Sequence, residues 1–335
     1  MLIPLRTLEV ESIVRVMARP DYPKTMREFR EQFSTQHSCM EYLASSRWPE
    51  GFMCPHCAHA GGWLKKDRFL YRCGQCKRDT SPTAGTAMHQ SKIPVQDWVW
   101  AAYMVATHTP GLSAKQLQRY LGTSSYKTAW YLLQRFRRAM VNENRTPLRG
   151  RVEADETLIG GPAKGKKGRG VATGKSKSLV LGMVEVLAYK DASGPAKKRA
   201  GRVRLEVVDH ADEETIRIFL DKNLTPGSTV QTDGWRGYSE TALLDYRHIV
   251  KVQDSPQSAS RLAPHIHRVF SNLKTWLQGT HHGVEPKYLQ AYLDEFVFRF
   301  NRRQTPMAAF QTLLGITAAK KPSTMRKLIQ GYATG

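Results

Sequence analysis

Two adjacent acidic residues lie where a strand pattern could hold a metal-binding carboxylate. The stretch 152–161 reads VEADETLIGG, and we predict a short strand over residues 151–154 that presents Asp155 and Glu156 at its carboxyl end. A strand end is a stiff support, and carboxylate oxygens are ligands that Mg²⁺ prefers. Most acidic pairs of this kind are solvated turn residues. A metal-binding interpretation therefore needs a second acid elsewhere in the chain.

Asp233 supplies that second acid at the end of another strand pattern. Apolar and polar patterns predict further elements after the first strand, namely strands over 179–187 and 202–208, a helix over 211–222 and a strand over 228–232. Three strands, a helix and a fourth strand, with acids ending the first and fourth, predict an α/β ribonuclease-H-like fold. Since the first and fourth strands are neighbours in that fold, Asp155 and Asp233 should converge on a site for Mg²⁺ or Mn²⁺.

Four of the five cysteines form two Cys-x-x-Cys pairs. They are Cys54, Cys57, Cys73 and Cys76, with a hairpin pattern between the pairs. Four thiolates at this spacing predict a zinc ribbon, and the zinc is structural because a closed sulfur shell leaves no position for chemistry. Redox pairs would need a βαβ context that the sequence lacks. The fifth cysteine, Cys39, is expected to be a small buried hydrophobic residue.

A helical region over residues 92–144 follows the cysteine pairs. Ser113 can cap one helix that Gly122 ends, and Ser124 or Ser125 can cap the next. Two short helices around such a turn predict a helix-turn-helix, although an ordinary helical hairpin has the same outline. The residues predicted to begin the recognition helix and to contact DNA are Ser125, Tyr126 and Lys127.

The charge balance indicates a polyanionic partner. Lys and Arg number 51 against 29 Asp and Glu, which gives a formal charge of +22. Nucleic acid would relieve the resulting self-repulsion. A membrane surface is the weaker candidate, since no apolar run approaches the ~18 residues of a membrane span. Charged residues also interrupt the first 20 positions, where a secretory signal is apolar, so we expect a cytoplasmic protein.

The motifs in this order resemble one group of DDE-type insertion-sequence transposases, the zinc-ribbon group related to Merlin elements. The resemblance is carried by the zinc ribbon, the helical region, and the motifs ADETLIGG, TDGWRGY and EFVFRFNRR. It implies an enzyme that binds terminal inverted repeats in double-stranded DNA, cleaves one strand and transfers the 3′-hydroxyl to a target. It also implies a homo-oligomer on DNA, associated with the bacterial nucleoid.

The third acid that the family pattern expects is missing. This acid lies on a late helix, seven residues before a basic residue, but the stretch 264–274 reads PHIHRVFSNLK. Counting back from Lys274 gives His267, and Asn272 is the second candidate. Helix geometry favours His267, because it shares a face with Lys274 whereas Asn272 is turned away. At a helix start we expect a neutral imidazole, which suits Mn²⁺ better than Mg²⁺.

A closing helix over 287–302 carries the last motif. Glu295 could reach the active site or have a structural role. Four basic residues in this part of the chain are predicted to contact phosphates and to position DNA without specifying its sequence, namely Lys274, Arg299, Arg302 and Arg303.

The sequence therefore predicts five segments. They are an N-terminal helical segment at 1–50, a zinc ribbon at 51–85, a helix-turn-helix-like region at 86–148, a ribonuclease-H-like transposase domain at 149–318 and a basic tail at 319–335. Because the third acid is absent, two alternatives stay open. One is a zinc-ribbon and helix-turn-helix DNA-binding protein with a decayed nuclease domain, and the other is a structure-specific nuclease on the same fold.

Overall fold

The structure of the protein is a computed structural model. It describes residues 20–141, 145–160, 177–190, 194, 197–240, 242–251 and 263–330. The Gly- and Lys-rich sequence at 164–177 predicts a flexible basic loop, and this stretch lies outside the described ranges except for Lys177. Within the described ranges, no helix combines the length and the apolar character that crossing a membrane requires.

Two short helices come first, α1 at Met26–Gln32 and α2 at Gln36–Arg47. Each begins after a threonine whose hydroxyl accepts a hydrogen bond from a backbone N–H of the first turn. Cys39 lies fully buried in α2, as predicted. Burial raises the pKa of its thiol to about 12, so this cysteine is an inert packing residue.

A three-stranded antiparallel sheet follows, with β1 at Gly62–Lys65, β2 at Leu70–Cys73 and β3 at Asp79–Thr80. The predicted hairpin between the cysteine pairs is confirmed by the pairing of β1 with β2. Hydrogen bonds from Arg72 and Lys65, at 2.8 and 2.9 Å, tie Asp79 to both strands. These bonds lower the pKa of Asp79 to about 2.

The next three helices are α3 at Val95–Thr107, α4 at Ala114–Leu121 and α5 at Tyr126–Met140. The predicted limits of α4 are confirmed, because Ser113 accepts a hydrogen bond from the Gln116 N–H and Gly122 ends the helix with a φ of 63°. Ser125, one of the two predicted caps of α5, occupies the N-cap position, but its side chain makes no capping hydrogen bond.

A five-stranded sheet forms the second half of the molecule. Its strands are β4 at Arg151–Ile159, β5 at Ser178–Tyr189, β6 at Lys197–Val208, β7 at Thr229–Thr232 and β8 at Arg247–Val250, in the order β6-β5-β4-β7-β8. The first three strands are antiparallel, and β7 lies parallel to both β4 and β8. The first and fourth predicted strands correspond to β4 and β7. The prediction that they are neighbours in the sheet is therefore confirmed.

Two features of this sheet differ from the prediction. Strand β4 does not end before Asp155 but continues to Ile159, because β5 pairs with it residue by residue up to Ile159 opposite Ser178. Strand β6 begins at Lys197, before the strand predicted over 202–208, because Lys197 pairs with Tyr189 of β5. Cross-strand pairing thus extends both strands beyond their apolar patterns.

Helices cover both faces of the sheet. Between β6 and β7, α6 at Glu213–Asn223 packs on one face. The other face is covered by α7 at Pro264–His281 and α8 at Leu289–Asn301, which are separated by a 3₁₀ turn at Pro286–Tyr288.

The last helices are α9 at Pro306–Ala319 and α10 at Met325–Ile329. Phe310 of α9 is fully buried in one core with Phe29 and Trp98. Although the sequence grouped most of α9 with the ribonuclease-H-like segment, this helix packs in the N-terminal helical core. The described chain thus begins and ends in the same core.

Candidate active site

Asp155 lies on β4, and Asp233 directly follows β7, the parallel strand beside it. The register of β4 with β7 pairs Val152 with Val230 and Glu153 with Gln231. Asp155 and Asp233 each lie two residues beyond the last pair of this register. Asp155 is partly buried, whereas Asp233 is exposed and accepts a hydrogen bond from the Trp235 N–H at 3.0 Å.

His267 extends from the first turn of α7 to the first of these carboxylates. Its Nε2 lies 3.1 Å from Oδ2 of Asp155. This hydrogen bond raises the pKa of His267, and the charges of Asp155, Glu153 and Asp233 act in the same direction. This arrangement therefore favours the protonated imidazole and not the neutral imidazole that we expected. The effect of the contacting carboxylate on the pKa outweighs that of the positive helix end.

The chemistry of these donors fits a divalent metal ion. Two carboxylates and one imidazole suit Mn²⁺ and, less well, Mg²⁺. Within the described part of the chain, however, only the four cysteines bring three or more metal-ligating side chains within 4.8 Å of one another. Asp155, Asp233 and His267 therefore do not form such a close group of ligand atoms in this structure.

The negative charges of both aspartates act on the carboxyl group of Glu156. Burial, followed by the charges of Asp155 and Asp233, raises the pKa of Glu156 to about 7. Its Oε2 lies 3.5 Å from the hydroxyl of the buried Tyr238. The TDGWRGY motif thus contributes Asp233 and, through Tyr238, a contact to the residue next to Asp155.

The four paired cysteines converge, as predicted from their spacing. The Sγ atoms of Cys54 and Cys76 lie 3.6 Å apart, as do those of Cys57 and Cys73. A tetrahedron with Zn–S bonds of ~2.3 Å has sulfur–sulfur edges of about 3.8 Å. The cluster therefore fits a structural zinc ion.

Both sites lie within ranges that match known protein families. Residues 34–79 match the family described as transposase zinc-ribbon domain, and residues 147–301 match the ISXO2-like transposase domain. The chain belongs to the zinc-ribbon DDE-type transposases. A protein of transposable element ISH50 from Halobacterium salinarum, described as uncharacterized, is 28% identical over 218 residues, which are 62% of this chain and 70% of the relative. The family resemblance of the motifs is thus confirmed.

Sequence reasoning missed Glu153, a third acid of β4 in the transposase. Its side chain is 5% exposed and lies against the first turn of α7. Oε2 accepts the backbone N–H groups of His265 and Ile266 at 2.7 and 3.0 Å. Oε1 lies 2.8 Å from Nδ1 of His265. The available signal was a glutamate within the apolar part of a strand, where an acid needs a partner.

Asn272 lies on a different face of α7 from His267. It lines a cavity of about 1010 Å³ between the sheet domain and the loop at 106–110. None of the described residues that line this cavity is acidic. Its basic lining residues are Lys198, Arg199, Arg268, Arg299, Arg302 and Arg303. Three of the predicted phosphate contacts, Arg299, Arg302 and Arg303, therefore line a basic cleft together with Asn272.

Arg299 is largely engaged within the protein. Its side chain is 13% exposed, and Nη1 lies 3.9 Å from Oε1 of Glu295. Its Nη2 donates to the backbone carbonyls of His108 and Thr109. Lys274, another of the predicted phosphate contacts, is exposed on α7.

Glu295 of the closing motif lies at the junction of α5 and α8. It is 1% exposed and lies 2.7 Å from Nε of Arg137, which is equally buried. The guanidinium of Arg137 also lies 3.7 Å above the ring of Tyr292. Glu295 therefore joins the helical region to the sheet domain of the transposase.

The residues predicted to begin the recognition helix lie at the start of α5. All three residues are exposed, namely Ser125, Tyr126 and Lys127. Tyr126 is 49% exposed.

Proposed function

We propose that this transposase binds the terminal inverted repeats of its own element in double-stranded DNA and catalyses metal-dependent strand cleavage and strand transfer. The observation that carries the proposal is that Asp155 lies on β4 and Asp233 directly follows the neighbouring parallel strand β7, with His267 in contact with Asp155. Its support from the family is the matched transposase domain, which contains all three residues.

The proposed catalytic fold is ribonuclease-H-like. The sheet order, with three antiparallel strands followed by two parallel ones, supports this assignment. Further support comes from the helices that cover both faces of the sheet. The first acid, Asp155, lies on the central strand, β4.

Asp155, Asp233 and His267 are the proposed ligands of Mg²⁺ or Mn²⁺, with Asn272 as the second candidate for the third position. A bound divalent ion would supply charge stabilisation at the phosphate and a more acidic water or 3′-hydroxyl. The protein side chains would orient the scissile phosphate between β4 and β7. His267 would hold a proton at Nε2 until its imidazole is needed as a ligand or acceptor.

Duplex DNA is the proposed partner, contacted by two groups of residues. The exposed start of α5 would read base edges as the second helix of a helix-turn-helix. Lys274, Arg302 and Arg303 would contact phosphates, and Arg299 would act mainly by holding the loop at 108–109. Because two element ends must be handled together, we also propose a homo-oligomer on DNA in the cytoplasm, at the bacterial nucleoid.

The test uses the purified full chain, labelled DNA carrying the element ends, and Mg²⁺ or Mn²⁺. Asp155→Asn and Asp233→Asn should each reduce strand cleavage ~10³-fold or more, because each removes a charged oxygen ligand of the ion. Asp67→Asn is the matched control, since Asp67 is an exposed acid of the zinc ribbon. Cleavage followed by joining to target DNA would support a transposase.

The second candidate function is DNA binding without catalysis. It is favoured by the histidine in place of the third acid. A wild-type protein that binds the element ends but neither nicks nor joins DNA with either metal would support this candidate. Nicking of branched DNA without joining would instead indicate a structure-specific nuclease.

A further inference from the structure

The first turn of α7, which carries His267, is held by a side chain from another element. Glu153 of β4 accepts two of its free backbone N–H groups and contacts the ring of His265. These N–H groups have no partner within a helix, so a buried helix start requires an acceptor. The carboxylate supplies that acceptor and complements the positive helix end.

The helix has no capping side chain of its own. Ala263 occupies the N-cap position without a side-chain hydrogen bond, and Pro264 begins the helix. By contrast, α1, α2, α4 and α6 begin with hydroxyl or carboxylate caps from their own N-cap residues. The start of α7 is therefore fixed by the strand that carries Asp155, not by local sequence.

Glu153 and Asp155 project from the same face of β4, because side chains two apart in a strand share a face. Their partners in β5 are Val184 and Gly182. Gly182 leaves room for α7, since a Cβ at this position would lie 2.6 Å from the Phe270 ring. Two successive positions on this face of β4 thus contact the first turn of α7, Glu153 at its N–H groups and Asp155 at His267.

We propose that Glu153 is a positioning residue that fixes the first turn of α7 so that His267 meets Asp155. This inference rests on the proposed function insofar as His267 belongs to the metal site. Removing the carboxylate leaves two buried N–H groups without an acceptor, and the first turn of α7 must then shift or fray. The distance between His267 and Asp155 is the quantity that Glu153 controls.

The experiment compares Glu153→Gln and Glu153→Leu with the matched control Glu185→Leu. Glu185 is a similarly buried carboxylate on β5, but it binds Arg202 and the Arg149 N–H, away from α7. In metal-free full-length protein, the imidazole resonances of His267 are recorded with labelled histidine and assigned with His267→Ala. Mn²⁺ affinity is then measured calorimetrically below the melting temperature of every variant.

We expect Glu153→Leu to move the His267 resonances and to weaken Mn²⁺ binding about tenfold or more, as for other residues that orient metal ligands. Glu153→Gln should fold and lie between wild type and Glu153→Leu, because its amide oxygen can still accept an N–H. Glu185→Leu should lower the melting temperature and leave both readouts unchanged.

Unchanged His267 resonances in both Glu153 variants would overturn the inference, as would equal shifts in Glu185→Leu. The resonances are measured without metal, so they decide the role of Glu153 even if the wild type binds no Mn²⁺. Absence of Mn²⁺ binding by the wild type would count against the proposed catalytic function instead.

Discussion

At the scale of single residues, the contact between an imidazole and a carboxylate supports His267 for the proposed third position. His267 lies 3.1 Å from Asp155, whereas Asn272 lines the basic cleft on another face of α7. Of the two candidates, His267 is therefore the one that the geometry connects to the acids.

His267→Ala should reduce strand cleavage ~10²–10⁴-fold, the range found for a lost acid–base group. Asn272→Ala should stay within a few-fold of wild type, because its side chain faces the cleft. Single-turnover cleavage of labelled element ends in Mn²⁺ measures both variants. Full activity of His267→Ala together with loss in Asn272→Ala would reverse the assignment.

The sequence identifies residues whose chemistry follows from their type together with either a short spacing or the order of the predicted strands. The cysteine pairs predict their own cluster, and Asp155 and Asp233 follow from strand order. Glu153 could not be identified as a helix cap, because its partners lie more than a hundred residues away. Likewise the protonation of His267 depends on a contact across two elements, and the helix position alone predicts the opposite sign.

At the scale of elements, apolar patterns predicted which strands exist better than where they end. The buried parts of β5 and β6 are visible in the sequence, but their outer halves pair with each other beyond the apolar stretch. Strand β8 was not predicted, since its four residues, RHIV, are mostly exposed and it is held by pairing with β7. Pairing partners, which a single sequence does not show, decide such edges.

The junction of α5 and α8 allows a prediction of stability. Glu295→Gln should lower the free energy of unfolding by about 3 kcal/mol or more, because it leaves the buried Arg137 without its charge partner. The exposed pair of Lys222 and Glu206 is the control, and Glu206→Gln should cost less than about 1 kcal/mol. Chemical denaturation measures both. Equal effects of the two substitutions would contradict the structural role of Glu295.

At the scale of the whole molecule, the two ends of the described chain share one core. Helix α9 packs beside α1 and α3, although an insertion of the whole sheet domain separates them in sequence. The sequence shows that α9 is apolar, but not which core it joins. The helical region and the sheet domain are thus connected at two places, through this packing of α9 and through Glu295.

The net charge of +22 is the other property of the whole molecule, and the basic cleft concentrates part of it. We expect DNA affinity to fall steeply as salt concentration rises. Lys198→Gln and Arg268→Gln should each reduce the slope of log affinity against log salt by about one. Arg217→Gln, at the exposed side of α6 on the opposite face of the sheet, should not. Fluorescence anisotropy with duplex element ends measures all three, and equal slopes would exclude the cleft as a phosphate contact.

A change of metal preference tests most directly whether Asp155 and Asp233 hold the metal ion. Asp155→Cys and Asp233→Cys replace an oxygen ligand with a sulfur ligand, which Mg²⁺ binds poorly and Mn²⁺ accepts more readily. Strand cleavage of labelled element ends is measured for each variant in both metals. We predict no cleavage in Mg²⁺ and partial recovery in Mn²⁺ for both variants. Wild-type cleavage by either variant in Mg²⁺ would contradict the assignment of that aspartate as a metal ligand.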